Sequence, residues 1–314
     1  MLDIIYKIYL KIPNFYNLGL LGKLINKVFS VVFNIIINLI AKKEFNKNKR
    51  ENFESNKNLN IRMEYVVSLT SIPTRINNLW ITIESLLKQT VKPDKIVLWL
   101  VNEEMDGVTL PDSLLSLKSR GLEIYFTSIN LRPHNKYFHS CKKFPNASIV
   151  TVDDDIIYPN NMLENLIMLN NKFPNAVCAN LTSLITIKSN KILPYKNWKE
   201  FYKGDLTPNN NIIQLGVSGV LYPPKSLPEI CFNEELIKKL SLSADDIWLN
   251  AMCYLNGTKI VTNMKFKKYF VTVNSSQKIT LHAVNTSQGR NDKILKDVHE
   301  YFDINLLSKS LINL

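Results

Sequence analysis

At 314 residues and a formal net charge of +12, the chain can form one large domain or two modest ones, and 46% hydrophobic against 21% charged content fits a folded globular protein. The basic balance, with a pI near 9.3, suits nucleic acid, an anionic membrane surface or phosphate-bearing substrates. Neither zinc-finger spacing nor an aromatic RNP-type strand is present, so nucleic acid is not an expected partner, and four cysteines with no C-x-x-C pair read as buried free thiols.

The chain begins with a segment unlike the rest. Residues 18–41, LGLLGKLINKVFSVVFNIIINLIA, are apolar but interrupted by Lys23 and Lys27, which leaves an uncharged run of 14 residues from Val28 to Ala41. That is short of the roughly 20 residues a spanning helix needs. Lys7 and Lys11 precede it and KKEFNKNKR follows, so the segment suits the headgroup region of an anionic leaflet, the cytoplasmic face of an inner membrane. The competing reading is an amphipathic helix packed on its own domain or on a partner. No small-residue cleavage site follows, which argues against a removed signal peptide. Residues 42–60 lack apolar periodicity and read as a polar linker, dividing a membrane-associating part, 1–60, from a main domain, 61–314.

Beyond the linker, strands and helices alternate. EYVVSL (64–69), KIVLWLV (95–101), LEIYFTS (122–128) and SIVTV (148–152) are short runs rich in β-branched and aromatic residues. LWITIESLLKQT places Leu79, Ile83, Leu86 and Leu87 on one helical face, and Pro159 stands where a helix over NNMLENLIMLNNKF would begin. The expected fold class is therefore α/β, a mainly parallel sheet flanked by helices, in which ligands collect at the carboxyl ends of strands.

What stands at those ends is informative. TSIPTRI after the first strand supplies Thr70, Ser71 and Arg75; INLRPHNKY after the third supplies Arg132, His134 and Lys136; VTVDDDIIYP after the fourth supplies Asp153, Asp154 and Asp155. Hydroxyls and cations suit a diphosphate, and a divalent cation such as Mg²⁺ or Mn²⁺ would reconcile it with the carboxylates. Extended-chain alternation points Asp153 and Asp155 to one side and Asp154 to the other, which marks Asp154 as the most replaceable. An acidic turn with no ligand is the ordinary alternative.

Further on, IIQLGVSGVLYPP carries Gly216 and Gly219, a sign of close approach by a ligand or backbone, or of a bulge. SLSADDIWLNAMCYL places Asp245 and Asp246 in the first turn of a helix, with Ser243 and Asp246 in a capping pattern; acids there offset the helix dipole and need no catalytic purpose. ITLHAVNTSQGRND sets His282 in a polar stretch.

Taken together, VVSLTSIPTRINNLWITIESLLKQTVKPDKIVLWL, LRPHNKYFHS, IVTVDDDIIYP, GVSGVLYPP and ADDIWLNAM resemble bacterial glycosyltransferases of the GT-A type that build capsule and lipopolysaccharide. The resemblance runs over about residues 62–293. It implies a D-x-D element and a divalent cation, Mn²⁺ or Mg²⁺. The donor would be a nucleotide-diphosphate sugar, a UDP-sugar foremost, and the acceptor a glycan or lipid-linked hydroxyl. Carried onto this chain, it places Asp153, with Asp154 beside it, at the nucleotide sugar, and Asp155, Asp153 and His282 at the metal. Thr70, Arg75 and Lys136 would contact the nucleotide or its phosphates, and Asp245 or Asp246, the former slightly preferred, would be the base of an inverting displacement. A sugar-phosphate nucleotidyltransferase is the neighbouring alternative, although TSIPTRI lacks the glycine-rich loop such enzymes carry. A non-catalytic, membrane-attached carbohydrate-binding protein of the same fold is the other.

Overall fold

A computed structural model describes residues 1–15, 18–47, 63–200, 207–262, 266, 268–274 and 289–306. Two helices, α1 (Leu2–Lys11) and α2 (Gly19–Lys47), precede a central sheet built from β1 (Tyr65–Thr70), β2 (Lys95–Val101), β3 (Leu122–Thr127), β4 (Ser148–Thr151), β5 (Val177–Ala179), β6 (Val220–Tyr222) and β7 (Ile260–Thr262). Their spatial order is β7-β5-β6-β4-β1-β2-β3. Every neighbouring pair is parallel except those of β6, which runs antiparallel to both β4 and β5. The mainly parallel sheet flanked by helices, with a helical N-terminal extension, is the architecture that the alternating pattern implies.

The four strands read from sequence form within a residue of the expected limits, because Val66, Val67, Leu69, Ile96, Leu98, Leu100 and Val150 are fully buried between covering helices. Burying one such side chain is worth about 2 kcal/mol. Between β1 and β2 lies α3 (Leu79–Leu87), with α4 (Asp112–Leu115) following β2, then α5 (Asn135–Lys143) and α6 (Met162–Lys172). After β6 come α7 (Glu234–Leu240), α8 (Asp245–Leu255) and, after β7, α9 (Arg290–Tyr301).

Two helix starts differ from expectation. Pro159 is not the first residue of α6; its carbonyl instead accepts from Met162 N in the turn before the helix. The N-cap of α8 is Ala244 and not Ser243, so the helix starts one residue later than the capping pattern implies.

The N-terminal helices share the core of the sheet domain. Leu2, Tyr6, Tyr9, Ile37, Ala41 and Phe45 are buried in one cluster with Val67, Leu69, Leu86 and Ile157. This explains why α3 is buried on nearly every face and not only along the stripe of Leu79, Ile83, Leu86 and Leu87: α2 covers its outer side. Glu84, also enclosed there, is neutralised by a two-pronged ion pair with Arg120. The other half of α2 behaves differently. Leu20, Leu21, Leu24, Val28, Val31, Val32 and Ile35 are all exposed, on a helix of 29 residues that continues through Lys23 and Lys27.

All four thiols are free; Cys178, Cys231 and Cys253 are buried as expected, whereas Cys141 is half-buried, and burial pushes Cys178 and Cys253 up to about 12.

Candidate functional site

The reversed strand β6 explains how distant residues meet. Val220 pairs with Thr151, so the Gly216–Gly219 turn that leads into β6 lies at the carboxyl edge of the sheet, beside the aspartates that follow β4. Opposite them, Ser68 of β1 donates to the Lys136 carbonyl at 2.5 Å and shares a 2.7 Å hydrogen bond with Ser140, which fixes the first turn of α5 against the sheet. The neighbouring His134 bonds the Ser241 carbonyl at 2.7 Å and Tyr137 at 3.0 Å, which ties the approach to α5 to the approach to α8. Burial lowers His134 to about 4, so the ring is neutral.

Lys136 is the centre of the arrangement. Its ammonium, 5% exposed, lies 2.8 Å from Asp153 Oδ1 and 2.9 Å from Asp245 Oδ2. Asp246 completes this side: its carboxylate accepts from Gly216 N at 3.0 and 3.2 Å, and its carbonyl accepts from Gln214 Nε2 at 3.0 Å. A Cβ on Gly216 would stand 2.8 Å from Asp246 Oδ1 and 3.4 Å from Lys136 Nζ, so the glycine is what admits both groups. Burial opposes the charge on Lys136, yet the carboxylates around it hold its pKa well above the ordinary lysine value.

The two helix-start acids titrate apart. Burial alone would raise Asp245, but the ammonium of Lys136 outweighs it and keeps this carboxyl below its ordinary range. Asp246 is pushed well above that range, first by burial and then by the charge of Asp245. Pairs of carboxyls separated in this way mark acid–base sites.

The second cation is Arg75, which follows β1. Its Nη1 is 2.6 Å from Asp154 Oδ1 and 3.4 Å from Asp155 Oδ2, and Ser71 donates to the other oxygen of Asp154 at 2.6 Å. The expected alternation of the three aspartates fails for a local reason: strand geometry ends at Thr151 and Asp154–Asp155 form a turn, so both face Arg75 while Asp153 faces Lys136. Asp154, expected to be the most replaceable, is held by both Arg75 and Ser71, with its carbonyl also accepting from Thr82 at 3.0 Å.

The structure thus gathers Arg75, Lys136, Asp153, Asp154, Asp155, Asp245 and Asp246 at one edge. Thr70 is adjacent, but its hydroxyl donates to the Trp99 carbonyl on β2. His282 lies outside the described residues. Tyr158 was not singled out by sequence. Its hydroxyl accepts from Asp153 N at 2.8 Å and donates to the Val217 carbonyl at 3.1 Å, joining the aspartates to the glycine turn. Its position in IIYP, three residues past the last aspartate, was the available signal.

Among the described residues no three His, Cys, Asp or Glu side chains are grouped to hold a metal ion. The donor chemistry is nevertheless that of a hard cation. Among the described residues the candidate ligands are carboxylate oxygens, and these carboxylates outnumber the two cations paired with them. Mg²⁺ commonly takes one or two carboxylates and completes its shell with substrate phosphates and water.

No family model matches the chain, and no curated protein matches it. Solved structures resemble it at low identity. A mannosyltransferase from Pyrobaculum calidifontis, in complex with GDP-Man and Mn²⁺, is 12% identical over 97% of this chain and 77% of its own, with a TM-score of 0.46. A putative glucose-1-phosphate thymidylyltransferase from Bacillus anthracis, in complex with a sucrose, is 13% identical over 64% of this chain and 86% of its own, with a TM-score of 0.38. An inositol-1-phosphate CTP transferase from T. maritima is 11% identical over 77% of this chain and 98% of its own, with a TM-score of 0.39. At this distance the chemistry has to be read from the side chains themselves.

Proposed function

We propose that the protein transfers a sugar from a nucleotide-diphosphate sugar to a hydroxyl of a glycan or lipid-linked acceptor. One observation carries the reading: Lys136 holds an acid of the strand-end group, Asp153, and an acid of the helix-start group, Asp245, within 2.9 Å of one ammonium. A site for a charged leaving group and a site for a proton acceptor are therefore adjacent at the edge of the sheet where ligands bind.

In this reading Asp155 would hold Mg²⁺ or Mn²⁺, which when bound offsets the charge of the leaving diphosphate, and Asp153, turned toward Lys136, would face the nucleotide sugar. Lys136 and Arg75 keep the carboxylates from repelling one another and add positive charge toward the phosphates. Asp246 is the base. It is less enclosed than Asp245, which is 9% exposed, and its raised pKa brings it closer to the working pH, whereas Asp245 is committed to Lys136. Gly216 N–H orients the Asp246 carboxylate, which takes the acceptor proton as the oxygen attacks the anomeric carbon; one displacement inverts that centre.

The test is incubation with a panel of nucleotide sugars, an acceptor extract and Mn²⁺ or Mg²⁺. Release of nucleoside diphosphate supports transfer. Pyrophosphate formed from a sugar phosphate and a nucleoside triphosphate would replace it with nucleotidyl transfer.

The reading extends to the cytoplasmic face of a bacterial inner membrane. By length and composition α2 is sufficient to cross a bilayer, but its docked C-terminal half and the lysines at 23 and 27 favour a helix lying in the headgroup region. Cosedimentation of the full chain with anionic vesicles, reduced at least severalfold by Leu24→Asp with Val28→Asp, supports this; equal sedimentation of the two proteins overturns it. Removing the helices altogether is a poor test, because Leu2, Tyr6, Ile37 and Phe45 belong to the domain core.

A further inference from the structure

The N-terminal helices do more than cover the core. Directly after Asp155, Ile156–Ile157 pairs antiparallel with Val271–Thr272, a ribbon of two residues on each side, far too short to be stable unaided. The ribbon continues onto the aspartate itself, since Val273 N donates to the Asp155 carbonyl at 2.7 Å.

Side chains of α1 and α2 satisfy the ribbon's backbone groups. The Tyr6 hydroxyl donates to the Ile157 carbonyl at 2.6 Å and accepts from Val271 N at 2.8 Å, so one phenol bridges both strands. On the outer edge, Asn38 Nδ2 donates to the Thr272 carbonyl at 2.9 Å and its Oδ1 accepts from Asn274 N at 2.8 Å, while Asn34 donates to the same Thr272 carbonyl at 3.0 Å. Tyr6 is 2% exposed and Asn38 1%, so these are enclosed polar contacts whose loss leaves backbone groups without a partner. Asp153 and Asp154 have other partners, the Tyr158 hydroxyl on the amide of the first and Thr82 of α3 on the carbonyl of the second.

We infer that Tyr6 is a positioning residue for Asp155: its hydroxyl pins the ribbon that sets where this carboxylate stands at the edge of the sheet. The consequence for ligand binding rests on the donor reading above, in which Asp155 serves the diphosphate end of a nucleotide sugar. The N-terminal helices are then part of the donor site as well as of the surface that meets lipid.

The full-length protein and its Tyr6→Phe and Tyr9→Phe variants test this. Tyr9 sits on the same helix, is similarly buried at 7%, and donates to the Tyr269 carbonyl, which lies outside the ribbon pairs. Each variant keeps its ring and loses one hydroxyl. Titration with UDP and GDP in the presence of Mn²⁺, at a temperature where both variants remain folded, should show Tyr6→Phe about tenfold weaker than wild type and Tyr9→Phe unchanged. Wild-type affinity in Tyr6→Phe, or equal weakening in both variants, overturns the inference. Should the wild type bind neither nucleotide, the donor reading fails, and amide exchange then judges the positioning itself. Faster exchange at Val273 in Tyr6→Phe but not in Tyr9→Phe supports it, and equal exchange overturns it.

Discussion

The three aspartates after β4 and the two that open α8 face one another, yet they are neutralised in opposite ways. In the first group a cation is used to lock an acid: Arg75 and Ser71 hold Asp154, which is 6% exposed at its side chain, in a turn. In the second, the cation divides a pair: Lys136 keeps Asp245 ionised, and Asp246, left with a backbone N–H, is pushed upward by burial and by its neighbour. Charge clustering alone does not tell a structural acid from a reactive one. The partner of each carboxylate does.

That contrast can be broken at each end. The largest effect should come from Asp246→Asn, which removes the proposed base and is expected to lower kcat by about 10³-fold while nucleotide affinity stays within about twofold. The wild-type rate should fall as pH drops through a value above the ordinary carboxylate range of about 4, because the base must be deprotonated. A rate profile with no such limb would return the role to Asp245.

Next is Asp154→Ala, which leaves Arg75 without its main partner and should destabilise by about 3 kcal/mol in denaturant unfolding. Asp153→Ala, one-third exposed at its side chain, should cost much less stability. Equal losses would erase the distinction between a locking acid and a working one. The smallest effect belongs to Gly216→Ala. Its Cβ would crowd Asp246 Oδ1 at 2.8 Å, and we expect kcat about tenfold lower with the unfolding midpoint nearly unchanged.

Much of this was legible in the residue order. β2 formed over the residues expected, since KIVLWLV has no polar interruption and is buried throughout its centre, and the acids of β4 and α8 were found as motifs. Their pairing was not legible. Lys136 reaches Asp245 only because β6 runs backwards and brings the glycine turn to the same edge, and strand direction leaves no mark in a three-residue run such as VLY. The misreading of Asp154 has a similar origin. Alternation is valid while a strand lasts, and nothing in VTVDDD says that it ends at Thr151. The role of Tyr6 was beyond reach for another reason: the phenol and the amide it accepts from are 265 residues apart.

That separation has a consequence for how the chain is made. α1 and α2 emerge from the ribosome long before Val271–Asn274, the segment that saturates Tyr6, Asn34 and Asn38. Contacts this distant in sequence form late, because closing so long a loop costs entropy before anything is gained. Throughout most of synthesis, then, the helical pair carries open hydrogen-bonding groups beside a bare apolar flank, the kind of nascent surface that lipid or a chaperone covers first. A part of the chain made before the whole sheet is thus among the last to be completed.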